Sequence, residues 1–420
     1  MARACLGLVL LLLALPAASA AAQAPQVRLG DWRVVGFEGS RVNALAVADE
    51  GRILYLATEL GLQASLDGGE NWNYIGQDLD RQKAPAVTAL ALDPRDPQVV
   101  YAGTERGAKG CLYVSRDGGL HWQRLLAGRR EDGIRAIFVD PGDPQKIFVS
   151  TFYHDGTGDE LLATADGGAS WRTLLSDSDR HAQKFYQIAR AENGRLLVAS
   201  SLGSLAGDTA DERFLNVSPA ETPTYAIAGR PRSFGDRFSA VYVATQQGLT
   251  ASYDTFSTWR AFASPPLNSC FVFGPGGLVV APSQSPLLLA SPRSLCQGTS
   301  AKVYALLAEP GGRRQVWQEV GVSLPASPEV RLQVAGEAQP RAYALTGSGL
   351  WLLDLPPAPA ASATPAVDPP SRPPSGPVNI EEAAGEVKPT AVGSAIDYAL
   401  WLAGVPALVF LGVRWWRRHG

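Results

Sequence analysis

Three octets in this chain align without a gap. Ser65, Asp67, Gly68, Gly69 and Trp72 recur as Ser115, Asp117, Gly118, Gly119 and Trp122, and again as Thr164, Asp166, Gly167, Gly168 and Trp171. No other feature constrains the fold as much. The three tryptophans stand 50 and 49 residues apart, which suits one four-stranded propeller blade per repeat. A fourth copy keeps Ser252, Asp254 and Trp259 but places Phe256 where the second glycine should be. The octet has the chemistry of a hairpin turn. Its Asp accepts local backbone N–H bonds, its hydroxyl supports that Asp, and Gly supplies positive φ. The Trp packs between neighbouring sheets. An Asp that recurs once per blade is a turn residue, so Asp67, Asp117, Asp166 and Asp254 are assigned to structure and not to catalysis.

The flanks agree. Before each octet come two strands of period-2 alternation, as at 87–92 and 99–104, separated by Asp-Pro turns at 93–97 and 140–144. Those Asp pairs resemble calcium ligands at first sight. The adjoining prolines and the lack of a third carboxylate at chelating spacing favour plain turns. The 43 glycines and 31 prolines fit many short strands better than long helices. Innermost strands are expected near Val42, Val87, Ile134, Phe185, Tyr225, Cys270 and Val330, with the fourth and sixth units degenerate. The fold class is therefore all-β: a single propeller over 27–355, of seven four-stranded blades, with six as the alternative. The last unit ends at 350–355 without a fourth strand. Residues 31–35 supply one, and pairing the two ends would close the ring and remove its exposed edges.

These octets are Asp boxes, and the sequence resembles the Asp-box (BNR) propeller families. It is nearest to exported single-domain propellers of the photosystem II assembly/stability factor type and to sortilin-like repeat proteins. The resemblance covers 42–259 well and the remainder weakly. It implies protein partners at or near a membrane, and a non-catalytic binding or assembly role. Asp-box propellers also include glycoside hydrolases, so a carbohydrate-binding or sialidase-like propeller is the alternative. Sialidase chemistry needs an arginine triad, an early arginine motif and a tyrosine nucleophile. The first blade here offers Arg28, Arg33, Arg41 and Arg52 without an Arg-Ile-Pro-like segment. Xyloglucan-type hydrolases carry two propellers, with a carboxylate pair across the cleft between them. No nucleophile elbow, phosphate loop or zinc motif is present. The four histidines are scattered, and neither a metal nor a cofactor is expected. A net charge of −3 gives no footprint for nucleic acid.

Topology sorts the loops of such a ring. Turns between strands one and two, and between three and four, share one face with the Asp boxes. Loops after the second strand and between blades share the other face: 76–86, 105–110, 126–133, 152–160, 176–184 and 201–213. Loops on a rigid scaffold are where binding usually resides. The candidates there are Arg129, Arg130, Glu131, Phe152, Tyr153, His154, Asp155, Arg180 and His181, joined by Asp159 and the aromatics Phe185 and Tyr186.

The two ends give an address. Residues 1–24 read as a secretory signal peptide, with cleavage after Ala20 or Ala24. Residues 395–413 are 19 nearly all apolar residues, roughly 28 Å as a helix and enough for one transmembrane span. Arg414, Trp415, Trp416, Arg417 and Arg418 follow, which places 414–420 in the cytoplasm. A processed sorting signal is the other reading of that segment. The Pro/Ala-rich stretch 356–394 between body and anchor reads as a stalk. Export leaves Cys111, Cys270 and Cys296, and an oxidising compartment favours pairing. A Cys270–Cys296 bridge is expected inside the sixth unit, between its first and third strands, with Cys111 a small buried apolar group.

Overall fold

The computed structural model describes residues 29–356 apart from short internal segments, of which 230–240 is the longest. Residues 1–28 and 357–420 lie outside the described residues, and with them the expected signal peptide, stalk and membrane span. Among the described residues no helix is long and apolar enough to cross a membrane.

The chain forms seven four-stranded antiparallel sheets, one per blade. Their innermost strands are Val42–Ala48, Val87–Leu92, Asp132–Val139, Phe185–Arg190, Thr224–Gly229, Phe271–Ala281 and Arg331–Ala335. Seven blades replace the alternative of six, and each innermost strand begins within two residues of its expected place. The second strand of a blade is sandwiched between two neighbouring sheets. Ile53–Thr58, Val100–Thr104, Leu196–Ser200 and Val241–Thr245 are accordingly buried at every position. That is why their sequences are continuously apolar and not alternating.

The core lies between blades. Tyr55 and Leu62 of the first blade pack with Val100, Tyr113 and Trp122 of the second. Leu54 and Leu56 pack with Tyr343, Leu350 and Leu352 of the seventh. The ring is closed as the strand count requires. Arg33–Gly36 runs antiparallel to Gly349–Asp354, with Arg33 opposite Leu352 and Val34 opposite Trp351. Just before it, Trp32 is 3% exposed, and its indole N–H donates to the Val320 carbonyl at 3.1 Å, tying the closing strand to blade six.

A second repeat accompanies the boxes. The second strand of six blades ends in a hydroxyl residue, Thr58, Thr104, Ser200, Thr245, Ser294 or Thr346, and in blade three Thr151 stands two residues before the end of Ile147–Tyr153. In the tight turns of blades one, four, five and seven the hydroxyl donates to a glycine carbonyl three residues on, at 2.8–3.1 Å. It also accepts the N–H two residues on. Each hydroxyl closes its turn locally, an ST-turn arrangement.

Two expectations need correction. The range 201–213 is not a loop, because Gly203–Asp208 is the third strand of blade four and pairs with Leu196–Ser200 along its length. Its small residues hid it. In blade six the second strand is Leu287–Ser294 and the third is Tyr304–Ala308, so Cys296 follows the second strand and not the third. Ser294 lies opposite Phe271 where the first and second strands of that blade pair. Cys296 is disulfide-bonded, while Cys270 lies outside the described residues. Cys111 is a buried thiol.

Candidate functional site

The meander puts the first-to-second and third-to-fourth turns on one face and the remaining loops on the other. On the first face the three complete boxes are built alike. Ser65 Oγ donates to Asp67 Oδ1 at 2.7 Å and accepts the Gly69 N–H at 2.8 Å. Asp67 accepts the Asn71 N–H at 2.9 Å and the Asn71 amide at 2.7 Å, and Trp72 Nε1 donates to the Gly69 carbonyl at 3.1 Å. His121 fills the Asn71 role for Asp117, and Ser170 fills it for Asp166. The second glycine is required twice over. It has positive φ in all three boxes, and a Cβ there would strike Val35, Ile75 or Leu125 from the preceding blade. The box is thus also an inter-blade joint.

These bonds settle the carboxylates electrostatically. The backbone and side-chain N–H groups of Asn71, with the Ser65 hydroxyl, hold Asp67 down at about 2. Burial raises Asp117, but the His121 and Ser115 bonds outweigh it and again leave about 2. In the fourth copy Phe256 takes the glycine's place at φ 72° and donates its N–H to Ser252 Oγ. The Trp259 ring stacks on Phe256 while its buried Nε1 finds no hydrogen-bond partner among the described residues. Asp254 lies outside the described residues.

On the opposite face most of the expected rim lies outside the described residues: Arg129, Arg130, Glu131, His154, Asp155, Arg180, His181 and the side chain of Tyr153. Phe152 is described, and with Asp159 and Tyr186, which the sequence also singles out, it surrounds Arg135, which the sequence does not. The Arg135 guanidinium carbon sits 4.7 Å from the Phe152 ring centroid and 6.0 Å from that of Tyr186. Arg135 Nε donates to Asp159 Oδ2 at 3.2 Å, and the same oxygen accepts the Phe185 N–H at 2.9 Å. Asp159 is 3% exposed, and burial lifts its pKa above the usual carboxylate range against the pull of Arg135. Phe185 is a core residue, 1% exposed, and not a surface aromatic.

Arg135 owes its position to a recurrent backbone irregularity. In blades one to five the pairing of first and second strands skips one residue near the start: Asn43, Thr88, Arg135, Tyr186 and Tyr225. A β-bulge re-aims the side chain it carries. The first four of these line one cavity of ≈ 460 Å³, which residues from the innermost strands of six blades enclose, so it lies on the propeller axis. Tyr225 packs on Tyr186 with ring centroids 5.5 Å apart. Blade six reaches the same cavity through Pro275 and Gly276, in a longer break of register between Phe273 and Leu278. Arg41, Glu329 and Arg331 complete its charged lining together with Arg135. Among the described residues no cluster of His, Cys, Asp and Glu has the makings of a metal site.

No family model matches this sequence, and no curated protein matches it. Solved structures do share its architecture. An ancestral GH74 enzyme aligns with a TM-score of 0.55 at 16% identity, over 77% of this chain and 46% of that one. The extracellular domain of a hybrid two-component system from B. thetaiotaomicron gives 0.54 at 12% identity, over 77% and 39%. YCF48 from Cyanidioschyzon merolae gives 0.50 at 14% identity, over 77% and 98%. The chain therefore spans less than half of the first two and nearly all of the third. At such identities the likeness is one of fold, the seven-bladed propeller.

Proposed function

We propose that this chain is an exported Asp-box propeller that binds a protein partner through its loop-bearing face and performs no chemistry of its own. Residues 1–24 serve as signal peptide, 356–394 as stalk, 395–413 as the membrane span and 414–420 as a cytoplasmic tail. The observation that carries the reading is the disposition of the carboxylates. Glycoside cleavage needs two carboxyl groups flanking one bond, about 5–10 Å apart. The two buried carboxylates among the described residues stand on opposite faces, each spent on an arginine. Asp140 follows an innermost strand on the box face and pairs with Arg190, while Asp159 pairs with Arg135 on the loop face. The exposed box carboxylates are committed to their turns.

A glycan-binding role is the second reading. It draws on the fold shared with GH74 enzymes and on Phe152 and Tyr186, aromatics suited to stacking on sugar as well as on protein. Two experiments separate these claims. Deleting 395–420 should release the protein from membranes, and sedimentation of the truncated chain after a high-salt wash would refute the anchor. Crosslinking in intact membranes should yield a protein adduct that Phe152→Ala weakens. An adduct to polysaccharide alone would transfer the role to the glycan.

A further inference from the structure

Inside the axial cavity several polar side chains have hydrogen-bonding capacity that the fold does not use. Arg41, Asn43 and Gln333 line it and make no side-chain hydrogen bond to another described residue, nor does the Tyr186 hydroxyl. Arg331 is the most telling. It opens the innermost strand of blade seven, it is only partly accessible to solvent, and among the described residues its guanidinium has neither a hydrogen bond nor a salt bridge. Its aliphatic stem is held against the blade-six bulge, where a Cβ on Gly276 would lie 3.3 Å from Arg331 Cγ. Three other polar liners are already occupied, and Glu329 is not. Thr88 donates to the Ile134 carbonyl, Gln187 is bonded both ways to Ile227, and Arg135 is neutralised by Asp159.

The geometry points to the cavity as a binding site for a small carboxylate-bearing ligand, gripped by Arg331 and Arg41 and hydrogen-bonded by Asn43, Gln333 and Tyr186. A guanidinium presents a planar fork of donors that matches a carboxylate with two parallel bonds. Partial enclosure strengthens that attraction at Arg331, since water screens it less there. Burial and the neighbouring Arg41 both press Arg331 toward its neutral form, and Glu329 relieves this only in part. An anion beside the two arginines would remove the conflict. Glu329 also sets a limit, because its own charge disfavours ligands of high negative charge. A monocarboxylate therefore suits the site better than a phosphate ester. A volume of ≈ 460 Å³ matches a single sugar ring or a dipeptide, within the usual range of small-molecule sites. The one-residue bulges account for Asn43 and Tyr186, which they turn toward the axis, while Arg331 and Gln333 come from the regular first strand of blade seven.

Two sources offer this chemistry: a uronic acid and the free C-terminus of a peptide. Calorimetric titration of the full chain in detergent distinguishes them with four probes: galacturonate, galactose, N-acetyl-alanyl-alanine and its C-terminal amide. At least one acid should bind at millimolar concentration or below, and its neutral counterpart should bind about tenfold more weakly or worse, the loss of a charge-assisted bond. Arg331→Gln and, separately, the exposed Arg41→Gln should each cost a similar factor, with Arg331→Lys partly restoring affinity. Galacturonate alone binding names the sugar acid, and the peptide alone names the chain terminus. Equal binding of acid and neutral forms overturns the proposal. So does failure of both acids at millimolar concentration, or acid binding that survives both arginine substitutions. Inorganic phosphate binding more tightly than either acid also overturns it.

Discussion

On the box face Asp67 and Asp166 are exposed to water, yet both oxygens of each carboxylate are engaged by their own turn. On the loop face the order is reversed. Arg331 is partly enclosed by the channel and still has no acceptor among the described residues. The turns differ in the same sense. Box turns join blade to blade through Trp and Gly, in three blades fully and in a fourth with Phe256 substituted. Loop-face turns are closed one at a time by the hydroxyl that ends the second strand, in blades one, four, five and seven. Exposure is thus a poor guide to which polar groups are available for binding. Hydrogen-bond commitment is the better one: the box face is occupied in holding the ring together, and the loop face has side chains to spare.

The comparison depends on an intact ring, so the largest effect should come from opening it. Trp32→Ala removes a buried indole and its bond to Val320, and should cost about 3–5 kcal/mol in denaturant unfolding. Both faces should fail together. A loss below about 1 kcal/mol would mean that the closing strand is dispensable. Next is the loop-face staple of blade six. Non-reducing peptide mapping should show Cys270 joined to Cys296, and Cys296→Ser should destabilise by about 3 kcal/mol for a closed loop of about 25 residues. Thiols at both positions would remove this difference between the faces.

The faces were not equally legible in the sequence. The boxes could be read directly because each is a local device: eight consecutive residues satisfy one another and recur at blade spacing. The closing strand followed from counting, since 350–355 lacked a partner that 31–35 could provide. The blade-four strand Gly203–Asp208 escaped because Gly, Ser and Ala carry no alternation. The hydroxyls from Thr58 to Thr346 escaped although one stands at or near the end of every second strand, because a lone Thr or Ser there is too common to stand out. The channel groups were hidden for another reason. Arg135 sits within an innermost strand that reads as scaffold, and only a one-residue shift of register turns it to the axis. Asp159 is 24 residues from its Arg135 partner, a pairing that only the closed blade creates.

Smaller effects sharpen the comparison. Asp117→Ala should lower stability by about 1–3 kcal/mol, since its turn loses the bonds from Ser115 and His121. It should leave loop-face binding unchanged. A stable variant that loses binding would instead place the site on the box face. The smallest effect is the pH dependence, and its sign differs between faces. Folding depresses Asp67 and Asp117 to about 2, so their contribution is present above the unfolded carboxylate pKa and is lost as pH falls toward 2. Folding raises Asp159, so its contribution grows as pH falls through the range just above the ordinary carboxylate value. Asp117→Asn should flatten the acid limb of the stability curve, while Asp159→Asn should remove the opposing slope. Identical profiles for the two variants would contradict the distinction.

The central claim, that partners meet the loop face, is open to a matched test. Leu60 and Leu120 are both 65% exposed, the first in a loop-face turn of blade one and the second inside a box. Leu202 at 38% and Leu66 at 56% provide a second pair, again one on each face. A photoreactive amino acid placed at each of the four positions in turn, and irradiated in intact membranes, reports which surface is covered. The account predicts adducts from Leu60 and Leu202 and none above background from Leu66 and Leu120. Adducts confined to Leu66 and Leu120, or equal at all four positions, would contradict it.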